Sequence, residues 1–244
     1  MAKVAMIYAA AGASTRFGGK VKKAFALMED RPVFIRSIEL FINRDDCCQH
    51  IVVVAPEDLE MVKTKYAANL ALMGVKAVAG GGERHESVAN ALKEVDEQAD
   101  LVGIHDAVRP CVTEAWIDAV FAEAGKSGAA ILAAPLYGTI KRVSGAKVVD
   151  ETLSREGLYE AQTPQVFARQ VILDAYGRIG QVKGSITDDA QLVEAMGHPV
   201  SVVESDISNL KITRPDDVRL AVGLIRSRPK KRVAPRGPFE EAQW

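Results

Sequence analysis

The sequence lacks the features of a membrane protein, a secreted protein or a disulfide-bonded protein. Its 244 residues include three cysteines, of which Cys47 and Cys48 are adjacent. This number and spacing exclude a disulfide framework and a zinc site of recognisable pattern. No apolar run approaches the roughly 18–20 residues that a membrane-spanning helix requires. The first apolar run begins near the N-terminus and leaves no space for a signal or transit peptide. We therefore expect a cytoplasmic protein with no membrane contact.

An excess of charge of either sign is also absent. The chain has 31 Lys and Arg against 32 Asp and Glu, a formal net charge of −1, and 48% of its residues are hydrophobic. Because no overall positive field is present, nucleic-acid binding is not indicated. Any anion-binding site must therefore be formed locally.

The length and a change of composition near the C-terminus predict the domain organisation. A chain of 244 residues suits one large α/β domain, which we place at residues 1–227. Residues 228–244 form a basic stretch that is interrupted by prolines and has no helical periodicity. We expect this tail to be disordered.

Short apolar runs alternate with helical patterns along most of the chain. The predicted strands are Val4–Tyr8, Ile51–Ala55, Val75–Ala79, Leu101–His105 and Ala129–Ala134. Between them, apolar residues recur at helical spacing, for example from Phe34 to Ile42. This alternation predicts an α/β fold with a mostly parallel sheet flanked by helices. In such sheets, ligands bind at the carboxyl ends of the strands.

Residues 136–160 interrupt this alternation. Two short β-type runs flank a Ser144-Gly145 turn, which is typical of a β-hairpin. A two-stranded hairpin is only marginally stable alone, so we expect this β-arm to pack against a second copy of the chain. The βα pattern is expected to resume with a strand at 165–167, and a later helix is expected to start at Thr187-Asp188-Asp189.

Small side chains dominate the loop after the first predicted strand. Residues 9–19 read Ala-Ala-Ala-Gly-Ala-Ser-Thr-Arg-Phe-Gly-Gly, and Lys20, Lys22 and Lys23 follow. Small side chains let backbone N–H groups approach a phosphate, while Arg16 and Lys23 supply positive charge. The spacings of the dinucleotide fingerprint and of the P-loop are both absent. The sequence predicts a phosphate-binding loop of another kind; the alternative is a plain turn with solvated cations.

A second glycine-rich loop follows the third predicted strand. Gly80, Gly81 and Gly82 precede Arg84 and Ser87. Glycines allow the backbone to lie against a flat base, and the Ser87 hydroxyl can hydrogen-bond to that base. The alternative is a flexible turn before a capped helix.

Asp106 directly follows the fourth predicted strand, within the stretch His-Asp-Ala-Val-Arg-Pro. A carboxylate at the end of a buried strand is a typical magnesium ligand, because this hard cation prefers oxygen donors and leaves positions for phosphate oxygens. We predict that Asp106 binds the metal; the alternative is that it caps the following turn. We expect His105 to be a hydrogen-bonded core residue.

Further hydroxyl and cationic residues are dispersed along the chain, and only a shared phosphate would bring them together. They are Thr139, Arg155, Thr163, Thr187 and Lys211. A triphosphate loop, a metal ligand and additional cations indicate in-line transfer at phosphorus, catalysed by positioning and charge neutralisation. No Ser/His/Asp arrangement in the sequence indicates nucleophilic catalysis instead.

Taken in order, these motifs resemble those of the 2-C-methyl-D-erythritol 4-phosphate cytidylyltransferases of the non-mevalonate isoprenoid pathway. The similarity extends over roughly residues 3–226. The matching stretches are Ala-Ala-Ala-Gly with Arg16 and Lys23, Gly-Gly-Gly-Glu-Arg-His-Glu-Ser, His-Asp-Ala-Val-Arg-Pro-Cys, Thr-Ile-Lys-Arg, Ser-Arg-Glu-Gly-Leu, Gln-Thr-Pro-Gln, Ile-Thr-Asp-Asp and Asn-Leu-Lys-Ile-Thr-Arg-Pro-Asp-Asp. Each motif is weak alone, and their common order makes the resemblance specific.

The resemblance implies a Rossmann-like nucleotidyltransferase with a protruding β-arm at about 136–160. Such an enzyme makes CDP-methylerythritol and pyrophosphate from CTP and methylerythritol phosphate, and it uses magnesium or another divalent cation. The resemblance also implies a homodimer that is joined by the β-arm.

The resemblance further implies roles for particular residues. The CTP phosphates would be held by Ala10, Ala11, Gly12, Arg16 and Lys23, the cytosine side by Gly81, Gly82 and Ser87, and the metal by Asp106. Charge on the α-phosphate would be stabilised by Arg16, Lys23 and Lys211. The sugar phosphate would be bound by Thr163, Thr187 and Lys211 of one subunit, together with Arg109, Thr139 and Arg155 of the other.

Some positions depart from the family pattern. Lys22 stands where proline usually precedes the loop lysine, so the loop lacks the rigidity that proline would give. Gly138 stands where an aspartate commonly precedes Thr-Ile-Lys, and Gly82 replaces a frequent polar residue. The basic tail lies outside the pattern.

Two other functions remain open at this point. A ribitol-5-phosphate cytidylyltransferase would share the loop, Gln-Thr-Pro-Gln and Thr-Asp-Asp, whereas Ser-Arg-Glu-Gly-Leu and His-Asp-Ala-Val-Arg-Pro favour methylerythritol phosphate. The remote alternative is a non-catalytic nucleotide- or nucleic-acid-binding protein with the Lys-Lys-Arg of the tail as its anchor. A short basic run of this kind is usually only solvated.

Overall fold

The structure is a computed structural model, and it describes residues 1–18, 21–182 and 184–229. Most of the predicted tail, residues 230–244, therefore lies outside the described residues, and its expected disorder stays a prediction.

Strands and helices alternate along the chain from its N-terminal strand. In chain order they are β1 (Val4–Ala9), β2 (Leu27–Met28), β3 (Arg31–Pro32), α1 (Val33–Glu39), β4 (Cys47–Val54), α2 (Leu59–Lys65), α3 (Ala67–Leu72), β5 (Val75–Ala79), α4 (Arg84–Leu92), β6 (Leu101–Asp106), α5 (Glu114–Ser127), β7 (Ala129–Pro135), β8 (Ile140–Val143), β9 (Val149–Leu153), β10 (Tyr159–Ala168), α6 (Arg169–Gly177), α7 (Ala190–Ala195), β11 (Ser201–Glu204) and α8 (Pro215–Ser227). Short 3-10 turns lie at Lys23–Phe25, Pro56–Asp58 and Ile179–Gln181.

The main sheet of the described residues has seven strands in the order β11-β7-β10-β6-β1-β4-β5. β1 is parallel to both β4 and β6, β5 is parallel to β4, and β11 is parallel to β7. β10 runs antiparallel to its neighbours β6 and β7. The structure thus confirms the predicted fold class, a mostly parallel sheet flanked by helices.

Helices cover both faces of the sheet, so neighbouring residues of a central strand pack into opposite sides of the core. In β1, Met6 and Tyr8 face the side covered by α1, α2, α3, α5 and α8, and Ala5 and Ile7 face the side covered by α4, α6 and α7. These four β1 residues have 0% exposure. Burial on both sides explains why the strands appear in the sequence as continuous apolar runs.

The chain after the β-arm differs from the βα unit that the sequence predicted. β10 is 10 residues long and begins at Tyr159, inside the segment that we assigned to the arm. Its first residues pair with the end of β7, and Gln165 lies between Ile131 of β7 and Ile104 of β6. β10 therefore connects the arm to the centre of the sheet as one antiparallel strand.

The predicted β-arm is present as a separate antiparallel pair, β8 with β9. Ile140 lies opposite Leu153 in this pair. Val143 and Val149 are 50% and 55% exposed. The arm thus presents apolar side chains to solvent in a single copy of the chain.

Helix ends follow local sequence signals. Thr113 caps α5, since its Oγ1 atom accepts a hydrogen bond from the Trp116 N–H at 3.3 Å. α5 ends at Ser127 and is followed by Gly128, which has a φ of 82° that favours glycine. Within the described ranges, every helix is too short or too polar to cross a bilayer.

A buried aromatic cluster supports the carboxyl ends of β1 and β6. Phe41 has 0% exposure, and its ring centroid lies 5.8 Å from that of Tyr8 and 5.1 Å from that of His105. The Tyr8 hydroxyl contacts Nδ1 of His50 at 2.8 Å. Phe41 therefore packs directly beneath the residue that precedes Asp106.

We expect Phe41→Ala to lower the free energy of unfolding by about 3–5 kcal/mol, because truncation leaves a cavity between the Tyr8 and His105 rings. Leu72→Ala is the control, because Leu72 is 90% exposed; we expect a change within about 0.5 kcal/mol. Equilibrium unfolding in urea measures both variants. Equal effects of the two substitutions would contradict this description of the core.

Candidate active site

A cavity of about 620 Å³ lies at the carboxyl ends of β1, β4, β5 and β6. Its wall brings together the loops that follow these four strands and, from a fifth segment, Lys211. The lining residues are Ala9, Ala10, Ala11, Gly12, Ala13, Lys23, Ala24, Ala55, Pro56, Glu57, Gly81, Gly82, Glu83, Arg84, Ser87, Asp106, Val108 and Lys211. The edge of the sheet predicted to bind a ligand therefore holds a cavity large enough for a nucleotide.

Asp106 is the buried anion of this cavity, with 6% exposure. Its Oδ2 atom lies 2.6 Å from the Lys211 Nζ atom and 3.7 Å from the Arg109 Nε atom. Its Oδ1 atom lies 3.5 Å from the Arg84 Nε atom. Burial alone would raise the pKa of Asp106, but Lys211, Arg84 and Arg109 together hold it well below its ordinary value. Asp106 is therefore ionised at any physiological pH.

The backbone of Asp106 is fixed by neighbouring buried groups. The Asp106 N–H donates to Oγ1 of Thr163 at 3.0 Å, and this hydroxyl also contacts Nδ1 of His105 at 3.2 Å. Nε2 of His105 lies 3.1 Å from the carbonyl oxygen of Arg109, which can only accept, so Nε2 carries the proton and Nδ1 accepts from Thr163. Burial lowers the pKa of His105 to about 4, consistent with a neutral ring. The expected core role of His105 is thus confirmed.

Lys23 and Lys22 lie on different sides of the loop end. Lys23 lines the cavity, and its pKa is lowered first by burial and then by the nearby charges of Lys211 and Arg16, which outweigh the opposite effect of Asp106. The Lys22 Nζ atom instead lies 2.7 Å from Oε1 of Glu57. Of the two adjacent lysines, the structure therefore brings Lys23 into the cavity.

The second glycine loop has a packing requirement of its own. A Cβ atom at Gly81 would lie 2.5 Å from the Cβ atom of Glu86, and one at Gly80 would lie 2.5 Å from Oγ of Ser87. The Ser87 hydroxyl accepts from the Gly81 N–H and donates to the Glu83 carbonyl oxygen, each at 3.0 Å. Glycine is needed here for close approach to α4, and Ser87, 2% exposed, holds the loop that forms the cavity wall.

An ionic network behind the cavity includes a residue to which the sequence analysis gave no site role. Nη2 of Arg84 lies 2.7 Å from Oδ2 of Asp189, which has 0% exposure. Oδ1 of Asp189 accepts a hydrogen bond from the Tyr176 hydroxyl at 2.6 Å. The Gln165 side chain accepts from the Asp189 N–H at 3.1 Å. Arg84 thus connects Asp106 with the start of α7. The sequence analysis included Asp189 in the Thr-Asp-Asp motif, but it predicted only a helix start there.

A second cavity of about 380 Å³ shares Lys211 with the first. Its lining is mainly polar and consists of Arg16, Glu160, Gln162, Ile207, Asn209, Leu210, Lys211 and Thr213. Arg16 is exposed and borders this second cavity. Lys211 therefore stands between the two spaces.

The position of Arg109 differs from the one that the resemblance implied. It was grouped with the arm residues of the other subunit, but it is 4% exposed and contacts Asp106 of its own chain. Its Nη1 atom donates to the carbonyl oxygen of Asn209 at 2.6 Å. Arg109 thereby ties β6 to the loop that carries Lys211.

The remaining predicted substrate residues line neither cavity in a single chain. Thr139 and Arg155 are exposed residues of the β-arm region, and Arg155 donates to the Tyr137 carbonyl oxygen. Thr187 is exposed, and its hydroxyl donates to Oε1 of Gln191 at 3.2 Å. The Thr163 hydroxyl is used by Asp106 and His105. The substrate roles of these residues stay predictions.

The donor set around Asp106 fits one kind of magnesium site. Among the described residues, no group of three or more His, Cys, Asp or Glu side chains is arranged to hold a metal ion. Mg²⁺, however, is commonly held by one or two carboxylates, with substrate phosphates and waters in its other positions. An ionised Asp106 at the wall of a nucleotide-sized cavity fits this pattern if Lys211 releases the Oδ2 atom.

Comparisons with known proteins agree with the site. A sequence model of the family described as 2-C-methyl-D-erythritol 4-phosphate cytidylyltransferase matches residues 4–227. A protein of that name from Rhodopirellula baltica is 42% identical over 236 residues, with 92% of this chain and 95% of the relative covered. One from Alkaliphilus metalliredigens is 36% identical over 227 residues, with 93% and 94% covered.

A solved structure has the same fold. The 2-C-methyl-D-erythritol 4-phosphate cytidylyltransferase from Thermus thermophilus superposes with a TM-score of 0.76 at 30% identity, covering 92% of this chain and 99% of that one. The family match spans the strand ends that form the cavity. The chain therefore belongs to the 2-C-methyl-D-erythritol 4-phosphate cytidylyltransferase family.

Proposed function

We propose that this chain transfers the cytidylyl group of CTP to 2-C-methyl-D-erythritol 4-phosphate, giving CDP-methylerythritol and pyrophosphate. The family match supports the reaction. The observation that carries the proposal is the arrangement of Lys23, Lys211 and the ionised Asp106 around a cavity bounded by small-residue loops.

The larger cavity suits CTP. Its wall of Ala10, Ala11 and Gly12 lets a phosphate chain approach the backbone, and the Gly81–Gly82 wall accommodates a flat base. The smaller polar cavity suits the polyol phosphate, because Arg16 and Lys211 supply positive charge and Gln162 and Glu160 supply polar partners for hydroxyl groups. Lys211 lies where the two substrates would meet.

The chemistry follows from this placement. An oxygen of the polyol phosphate attacks the α-phosphorus of CTP, a new P–O bond forms, and the bond to the oxygen bridging the α- and β-phosphorus breaks. Pyrophosphate leaves with the electron pair of the broken bond. The attacking phosphate is already an anion, so no side chain has to remove a proton. Lys23, Lys211 and Arg16 neutralise the charge that develops at the α-phosphate and on the leaving group.

We also propose that Asp106 holds a divalent cation, with Mg²⁺ the natural choice for a carboxylate and phosphate oxygens. When bound, the ion would neutralise triphosphate charge and improve pyrophosphate as a leaving group. Lys211 would then be free to turn from Asp106 towards the reacting phosphates.

A homodimer through the β-arm is part of the proposal. The exposed apolar residues of the arm support it, as does the position of Thr139 and Arg155 outside the cavities of their own chain. In a symmetric dimer these two residues would complete the polyol phosphate site of the partner, together with Thr163 and Thr187. The cytoplasmic location expected from the cysteine content stays a prediction.

We expect pyrophosphate release only with CTP when the four nucleoside triphosphates are each supplied with Mg²⁺ and methylerythritol phosphate. Lys23→Ala and Asp106→Asn should each reduce kcat/KM by about 10²–10³-fold, because each removes a charge that acts at the phosphates. Lys63→Ala and Asp174→Asn, at exposed positions outside the cavities, are the matched controls. Unchanged turnover in Lys23→Ala or Asp106→Asn would contradict the proposed site.

We expect methylerythritol phosphate to be turned over with a higher kcat/KM than ribitol 5-phosphate. Measuring both under identical CTP and Mg²⁺ concentrations decides between the two enzymes, since they share the nucleotide loop. A preference for ribitol 5-phosphate would replace the proposed substrate. Absence of turnover with either polyol phosphate, together with CTP binding, would favour the non-catalytic alternative.

We expect mixed dimers of Asp106→Asn and Arg155→Ala chains to regain activity that neither variant has alone. If each arm serves the partner's site, a mixed dimer contains one site with both native residues, and random mixing should restore about a quarter of parent activity. Co-expression with two affinity tags isolates the mixed dimer. Lack of recovery in that dimer would show that Arg155 acts within its own chain or does not act at the site.

A further inference from the structure

Lys22 forms a charged contact on the outer side of the loop end. Its Nζ atom lies 2.7 Å from Oε1 of Glu57 and 2.6 Å from Oδ2 of Asp58. The Lys22 and Asp58 side chains are 26% and 15% exposed. We call these three residues, Lys22, Glu57 and Asp58, the Lys22 clamp. Lys22 and Asp58 border an open groove beside α2 and α3, whereas Lys23 borders the cavity.

The clamp joins two walls of the cavity. Glu57 and Asp58 belong to the 3-10 turn Pro56–Asp58 that follows β4, and Pro56 and Glu57 also line the cavity. Lys22 is the residue from which the 3-10 turn Lys23–Phe25 begins. The end of the phosphate loop is thereby tied to a turn that the parallel strand β4 holds in place.

Lys23 has a reason to need such support. Burial and the charges of Lys211 and Arg16 disfavour its ammonium group in the cavity, as its lowered pKa shows. Its N–H donates to Oγ of Ser14 at 3.1 Å, which ties the backbone to the start of the loop. The charge of Asp106 offsets the repulsion from these two cations only in part. The Lys22 clamp holds the adjoining residue from the outer side of the loop end.

We propose that Lys22 is a positioning residue whose ion pairs with Glu57 and Asp58 hold the end of the phosphate loop so that Lys23 faces the triphosphate. This inference rests on the proposed function and adds that CTP affinity depends on a cation outside the cavity. Lys22 has a φ of −66°, which is the value that proline imposes. A proline at this position would therefore restrict the same backbone without any charge.

The experiment measures CTP binding by isothermal titration calorimetry in Mg²⁺ buffer without polyol phosphate, followed by steady-state kinetics. We expect Lys22→Ala to weaken CTP binding about fivefold, as expected for loss of a partly exposed ion-pair cluster. The KM for CTP should rise in parallel, with little change in kcat or in the KM for the polyol phosphate. Lys22→Arg should bind CTP as the parent chain does, because arginine retains the ion pairs.

Lys22→Pro distinguishes position from charge, and we expect it to bind CTP within about twofold of the parent because it fixes the same φ. Lys65→Ala is the matched control, since Lys65 borders the same groove but lies over the Tyr66 ring, with Nζ 5.4 Å from its centroid. Thermal unfolding of each variant checks that the fold is intact.

Two results would overturn the inference. One is parent-like CTP binding by Lys22→Ala. The other is Lys22→Pro binding as weakly as Lys22→Ala while Lys22→Arg is normal, which would show that the charge matters and the loop position does not. If the parent chain itself fails to bind CTP, the proposed function fails as well, so the two failures are distinguishable.

Discussion

The site depends on the burial of one negative charge. Asp106 is nearly inaccessible to solvent, and an isolated carboxylate in that position would be strongly destabilising. Among the described residues, Arg84, Arg109 and Lys211 provide the compensating charge. They come from the start of α4, the turn after β6 and the loop before α8. The three segments therefore have to be in place before the carboxylate is stably buried, which couples formation of the site to completion of the fold.

The same charges prepare the cavity for an anionic ligand. Asp106 neutralises only part of the positive charge that converges on it, and Lys23 and Arg16 add to the remainder. A triphosphate would bring negative charge to these cations. The backbone near the charges is held by hydrogen bonds, from the Asp106 N–H to Thr163 and from the Gly81 N–H to Ser87.

Much of the fold could be predicted from the sequence because it depends on local patterns. Apolar runs buried on two faces indicated the parallel strands, and strand ends converge at one edge, so Asp106 and Lys23 were expected near each other. The direction of β10 was not predictable, because the short stretch Gln165-Val166-Phe167 fits either orientation and the pairing partners are distant in sequence. The sequence did not show that packing requires glycine at position 81, because Glu86 occupies the space of a Cβ atom there only once α4 is folded.

Ion-pair partners were the least accessible part of the site. The sequence around Asp189 does not indicate Arg84 as its partner, and the sequence around Lys22 does not indicate Glu57. In each pair, only tertiary packing brings the two segments together. The sequence therefore indicated only a helix start at Asp189, and at Lys22 only a departure from the family pattern. Both become intelligible when the loops meet around the cavity.

The antiparallel strand β10 links the β-arm to the group that supports the buried carboxylate. It leaves the arm at Tyr159 and passes Thr163, whose hydroxyl accepts the Asp106 N–H, before it pairs with β6. The pairing of β10 with β7 shifts register between Ala161 and Gln165, so Thr163 lies at an irregular point of the strand. A partner that contacts the arm near Tyr159 would lie only a few residues of chain away from the hydroxyl that supports Asp106.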